Sequence, residues 1–374
     1  MTDLFSAGAV RCIAPASLAA RIEALAALLA GADWPVTATP VRVVGGAPSA
    51  AMGADVAARP VPAGAARHVP GVECGADAAA PACGVGGADR VPALALPPEL
   101  AVVDLAPQRR LEAAGGAGDR TGGAAPFAAP SLLADLPWPR RAMEVLAAFP
   151  LAEAGGCDLV PVPPAQRPPL LVVSDVDSTL IAEEVIEELA DAAGTRAEVA
   201  RITEAAMRGE LDFAQSLAQR VGTLAGVPGT IFAEVSARIT PRPFAPELVG
   251  ALHARGGRFG AVSGGFMEVL TPLGEQLGLD YWAANTLEVA GGALTGCTVG
   301  AVVDRAAKAT ILADWLARAG LGYSVAMGDG ANDLDMFASS DLSIALCAKP
   351  AARAGANVVL TIPHLGAVAA TLWR

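Results

Sequence analysis

Histidine is scarce in this chain of 374 residues: only His68, His253 and His364 occur, each where a loop or a surface helix is expected. A histidine nucleophile or a histidine-centred triad is therefore disfavoured. Cysteine offers little more. Cys12, Cys74, Cys83, Cys157, Cys297 and Cys347 sit far apart with no C-x-x-C spacing, which argues against a zinc site and a disulfide framework and makes a reducing cytoplasm the simplest home. Positive charge is short as well, with 26 Lys and Arg against 38 Asp and Glu for a net charge of -12. That balance speaks against nucleic acid or an anionic membrane as the main partner, although a few local cations and a metal can still hold a small anionic substrate. No charge-free apolar run reaches the length of a membrane span, because the 53% hydrophobic content comes largely from alanine. The first ten residues carry Asp3 and no basic cluster before an apolar core, so no secretory leader is expected.

The length suffices for two or three domains. In the front part, strand-like runs at 10–13, 36–44, 100–105 and 158–162 alternate with helical periods at 17–29 and 140–148. Strand, helix, strand, strand, helix, strand is the order of a ferredoxin-like module, here either a loosely ordered ACT-like α+β region spanning 1–162 that regulates or dimerises or a partly disordered extension. A homodimer is left open. Residues 45–98 are rich in Ala, Gly and Pro with little periodicity and read as a flexible insertion. Pro161, Pro163, Pro164, Pro168 and Pro169 make a stiff linker into a second domain over 163–374, which is expected to fold and act without the front part.

From Leu170 onward, strand patterns (259–262, 325–327, 343–346, 358–360) alternate with helical ones, predicting a doubly wound parallel sheet with helices on both faces. Residues 286–298 predict a small β-hairpin beside it, turning at Gly291-Gly292. Between 183 and 244 only helical periods occur, the pattern of a cap inserted after the first strand, which would keep water from the site beneath.

Four stretches carry chemistry. Leu170-Leu171-Val172-Val173-Ser174-Asp175-Val176-Asp177-Ser178-Thr179 is a buried strand followed by two carboxylates that project to one side of the sheet's carboxyl end, where open α/β sheets bind ligands. One can attack phosphorus while the other moves a proton, given a divalent cation to offset their charge. Acidic pairs at strand ends also bind metals in sugar transferases or cap helices. Val262-Ser263-Gly264-Gly265-Phe266 places a hydroxyl and two glycines at a helix start, suited to close approach of a phosphate or to simple capping. Lys308 is a solvated lysine or the fixed cation that phosphate transfer needs. Met327-Gly328-Asp329-Gly330-Ala331-Asn332-Asp333 sets hard oxygen ligands on a strand-to-helix turn, which suits Mg²⁺ and does not match the EF-hand spacing.

In this order and with this insert, the four stretches resemble the haloacid dehalogenase superfamily of phosphatases, and within it the phosphoserine phosphatase branch, over residues 169–374. The resemblance implies that Asp175 is a nucleophile forming an aspartyl-phosphate and that Asp177 is an acid and then a base. It implies Mg²⁺ held by Asp175, Asp329 and the backbone carbonyl of Asp177, with Asp333 supporting it. Ser263, Gly264, Lys308 and Asn332 would bind the phosphate of O-phospho-L-serine. In the cap, Glu184 would meet the ammonium, Arg220 the carboxylate, and Met207 and Phe213 would shield the bound molecule, unless these two are core residues. The implied activity is the closing step of serine synthesis. A phosphatase for another small phosphorylated amino acid, a phosphotransferase with homoserine as acceptor, and a non-catalytic binding protein are the alternatives.

Overall fold

The computed structural model describes residues 10–15, 36–40, 72–74, 100–107, 158–161 and 168–373. The front strands are β1 (Val10–Pro15), β2 (Val36–Pro40), β3 (Val72–Cys74), β4 (Leu100–Pro107) and β5 (Asp158–Pro161). Four of them form an antiparallel sheet in the order β2-β4-β1-β5. A strand–helix–strand–strand–helix–strand module gives this order when its two halves interleave. The helices predicted at 17–29 and 140–148 lie outside the described residues.

The second half begins with β6 (Leu171–Ser174), whose four residues are all buried. Val172 points into one apolar layer and Leu171 and Val173 into the other, the period-two signature of a strand covered on both faces. Four cap helices follow: α1 (Val185–Ala193), α2 (Arg196–Met207), α3 (Phe213–Gly222) and α4 (Ile231–Ser236). The α2–α3 turn is fixed by a capping box, in which Asp212 Oδ1 accepts from Gln215 N at 2.8 Å and Gln215 Oε1 accepts from Asp212 N at 3.1 Å. The chain returns through α5 (Ala245–His253), β7 (Arg258–Phe266), α6 (Met267–Leu277), β8 (Tyr281–Ala290), β9 (Ala293–Val299) and α7 (Arg305–Ala319). It closes with β10 (Ser324–Gly328), α8 (Leu334–Ser339), β11 (Leu342–Leu346), α9 (Pro350–Gly355), β12 (Val358–Leu360) and α10 (Leu365–Leu372).

The main sheet runs β12-β11-β10-β6-β7-β8-β3, parallel from β12 to β8. Leu312 and Trp315 of α7 and Met336 and Phe337 of α8 cover one face, while α5, α6 and α10 bury their apolar sides in the other layer. The doubly wound architecture is as the alternation of patterns predicts.

Two expectations change. The hairpin does not stand beside the sheet: β8 is itself a sheet strand, parallel to β7 through Tyr281–Ala283, and continues into the hairpin with β9. Its turn does use Gly291 and Gly292, both at positive φ (61° and 83°), as a two-residue turn of matching twist requires. Within the segment expected to be flexible, Val72–Cys74 pairs antiparallel with β8 as the sheet's edge strand; the remainder of 45–98 lies outside the described residues.

The front sheet also meets the second half. Ile13 and Val160 are buried in the same apolar layer as α10, all eight of whose residues are buried. Asp158 accepts from Thr361 N, Thr361 Oγ1 and Ile362 N at 2.7–3.1 Å just beyond β12. Among the described residues no helix is long and apolar enough to cross a membrane.

Candidate active site

β6 ends at Ser174, and Asp175 N–H is tied to Met327 O on the neighbouring β10 at 2.8 Å. The chain then leaves the sheet in a tight loop, with Ser178 at φ 58°, and this brings Asp177 back beneath the first turn of α1. Asp177 Oδ1 accepts from Val185 N at 2.9 Å, and its Oδ2 accepts from the Ser263 hydroxyl at 3.1 Å. Both carboxylates line one cavity of about 500 Å³ at the carboxyl end of the parallel strands, roofed by the cap helices.

Lys308 reaches this floor from the first turn of α7, which Asp304 caps by accepting from Ala307 N at 2.9 Å. Only 1% exposed, its ammonium donates to Asp175 Oδ1 and to Asp333 Oδ1, each at 2.7 Å. Burial works against that charge, but Asp175 and Asp333 outweigh it and hold Lys308 well above the ordinary lysine range. Asp333 spends its second oxygen on Asp329 N and Gly330 N, at 3.1 and 3.0 Å. Its role is thus to hold the loop and the lysine. Gly328 is obligatory here, since a methyl group at that position would overlap the Asp333 carboxylate.

Negative charge is in excess. Asp175, Asp329 and Asp333 each place a carboxylate oxygen within 4.8 Å of the others, all buried. Burial first, then Asp333, pushes Asp175 well above the usual carboxylate range against the opposing pull of Lys308. Burial also raises Asp177, although the Val185 and Ser263 hydrogen bonds resist. An all-oxygen, carboxylate-rich set with this charge imbalance fits a hard divalent cation.

The cap supplies the opposite wall. Glu184 accepts from Ser178 Oγ at 2.9 Å, and burial with the nearby Asp177 raises its pKa. Burial lowers Arg220, while Glu184, Asp177 and Glu187 pull it back up. An anion and a planar cation therefore share one roof. Phe213 stands over Gly264, where an added methyl group would come within 3.0 Å of its ring. Met207 is 83% exposed at the rim, so the core-packing alternative fails for it. Of the residues expected from the sequence, Asp175, Asp177, Glu184, Met207, Phe213, Arg220, Gly264, Asp329 and Asn332 line the cavity, and Ser263, Lys308 and Asp333 lie buried behind it.

Others were not foreseen. Lys349, 65% exposed, pairs with Asp329 Oδ2 at 3.0 Å and lines the cavity, as do Ile186, Glu187 and Thr203. Arg242 grips the nucleophile loop by donating to Thr179 O at 2.9 Å and Ser178 O at 2.5 Å. Asn285 bridges Gly264 O and Val303 N. Each acts from a distant point of the chain through one or two bonds, and no local pattern announces it.

Comparison with known proteins agrees with this geometry. The model of the haloacid dehalogenase-like hydrolases matches residues 172–338. Over 197 residues the chain is 52% identical to a phosphoserine phosphatase of Streptococcus thermophilus, covering 52% of this chain and 92% of that protein. The chain belongs to the haloacid dehalogenase-like hydrolase family. Among other relatives, phosphoserine phosphatase SerB2 of Mycobacterium tuberculosis is 49% identical over 206 residues, which is 54% of this chain and half of that one. A substrate-bound phosphoserine phosphatase complex superposes with a TM-score of 0.52 at 39% identity, covering 55% of this chain and 100% of that structure. In this haloacid dehalogenase-like chain, the matched stretch runs from within β6 into α8 and so includes the cap, both carboxylates after β6, and the stretches around Ser263, Lys308 and Asp329.

Proposed function

We propose that the protein is a Mg²⁺-dependent phosphoserine phosphatase, converting O-phospho-L-serine and water to L-serine and phosphate as the closing step of serine synthesis. One observation carries the reading: a single cavity joins a nucleophile–acid pair, Asp175 and Asp177, to an anion–cation pair, Glu184 and Arg220, on the cap above it. The first pair suits a phosphate ester. The second suits the ammonium and carboxylate of an amino acid, and arginine matches a planar carboxylate better than lysine does. The resemblance to phosphoserine phosphatases at about half identity supports the substrate.

Mg²⁺ would be held by Asp175, Asp329 and the Asp177 carbonyl, where it would offset the crowded negative charge and polarise the phosphoryl oxygens. Lys308 and the Gly264 amide bind those oxygens, with Ser263 and Asn332 beside them. Asp175 attacks phosphorus; the bond from phosphorus to the seryl oxygen breaks, and Asp177, whose pKa is raised by burial, gives that oxygen its proton. Asp177, now ionised, takes a proton from water, whose oxygen attacks the aspartyl-phosphate and releases phosphate from Asp175. The cap excludes water during the first transfer, with Phe213 and Met207 closing over the bound molecule. The working place is the cytoplasm, and the front strands, packed against the catalytic body, belong to an accessory region.

The test is phosphate release from phosphoserine, phosphothreonine and phosphotyrosine, with Mg²⁺ or with chelator, and with homoserine added or withheld. Turnover confined to phosphoserine, dependent on Mg²⁺ and indifferent to homoserine, is expected. Preference for another ester, or phosphohomoserine as product, would overturn the assignment.

A further inference from the structure

Asn285 is a polar residue at the point where β8 leaves the main sheet for the hairpin, and it is 2% exposed. Its amide is fully engaged in two directions. Oδ1 accepts from Val303 N at 2.8 Å, and Nδ2 donates to Gly264 O at 2.9 Å. These partners admit only one orientation of the amide, because a backbone N–H must face oxygen and a carbonyl must face the NH₂ group.

The consequence runs through a peptide plane. Gly264 O and Gly265 N–H belong to the same planar unit, so holding the carbonyl also aims the N–H on its opposite edge. That N–H donates to Ser263 Oγ at 2.7 Å. With its oxygen so engaged, the Ser263 hydroxyl sends its own hydrogen to Asp177 Oδ2 at 3.1 Å. The plane has no room to slip toward the acid, since a methyl group on Gly265 would stand 2.9 Å from both Asp177 Oδ2 and Ser263 Oγ.

We infer that Asn285 is a positioning residue for proton delivery: through the Gly264–Gly265 peptide and Ser263, it keeps Asp177 aimed at the departing oxygen. It touches no reacting atom itself. The inference rests on the assignment of Asp177 as the acid in the proposed reaction.

Leaving groups separate this role from a structural one. The seryl oxygen is a poor leaving group and needs the proton, whereas p-nitrophenolate departs without it. The ratio kcat/KM reports the first transfer. Asn285→Asp keeps the acceptor for Val303 and loses the donor to Gly264; Asn285→Ala removes both bonds without burying a charge, and melting curves identify which variant is folded as the wild type is. General acid catalysis contributes roughly 10²–10⁴-fold. For phosphoserine kcat/KM should fall at least about tenfold, with a several-fold smaller loss on p-nitrophenyl phosphate and a change lying in kcat more than in KM. Equal losses on the two substrates, or none on either, would overturn the inference while leaving the proposed function standing. A wild-type protein inactive on both would remove the proposed function and this inference with it.

Discussion

At the scale of the residue, the site is a set of charges that oppose one another in a small volume. Three carboxylates crowd the floor, two of them holding the Lys308 ammonium and the third paired with Lys349, and a glutamate and an arginine face them from the cap. Local sequence revealed the parts whose chemistry is contiguous, since Asp175 and Asp177 leave one strand together and Asp329 and Asp333 share one turn. Lys349, Arg242 and Asn285 stayed hidden, because a single bond formed across the fold leaves no mark on its neighbours in sequence. Arg220 offers the sharpest test of substrate recognition. An Arg220→Ala variant should raise KM for phosphoserine about 10- to 100-fold, the worth of a charge-assisted bond, yet barely change KM for phosphoethanolamine, which lacks the carboxylate. Equal losses in steady-state assays of the two would assign Arg220 to the integrity of the cap.

At the scale of the element, the parallel strands were legible because burial on both faces demands unbroken apolar runs such as Leu170–Val173. The reach of β8 was not. No strand was expected over Tyr281-Trp282-Ala283-Ala284-Asn285, and the parallel pairing with β7 places them in the sheet. Asp158 was equally silent: it anchors β5 to the turn after β12 with both oxygens, 203 residues away in sequence. Its burial raises the carboxyl's pKa above the ordinary 3.8, against the pull of the Thr361 hydrogen bonds. The folded state then holds the Asp158 proton more tightly than the unfolded chain does, so this contribution to stability is complete below 3.8 and is lost as pH rises through the raised folded value. Melting temperatures across that window should show Asp158→Asn gaining on the wild type as pH increases. Parallel curves would mean that the carboxyl titrates alike in both states.

At the scale of the whole molecule, the described front strands are part of the packing. The sequence suggested a proline-rich linker and a second half able to stand alone, but Ile13 and Val160 share an apolar layer with α10, which is buried along its whole length. The matched region of 197 residues covers 92% of the Streptococcus relative. A chain beginning at residue 163 should therefore hydrolyse phosphoserine but unfold at lower urea concentration than the full protein, since α10 loses its cover. An unchanged midpoint would show that the front sheet contributes nothing to stability. The catalytic expectations depend on Asp175 becoming phosphorylated, and that can be measured directly by quenching the enzyme in acid during turnover of ³²P-labelled phosphoserine. The account predicts an acid-stable, hydroxylamine-sensitive label on the wild-type chain and none on Asp175→Asn; label that persists on the variant would contradict it.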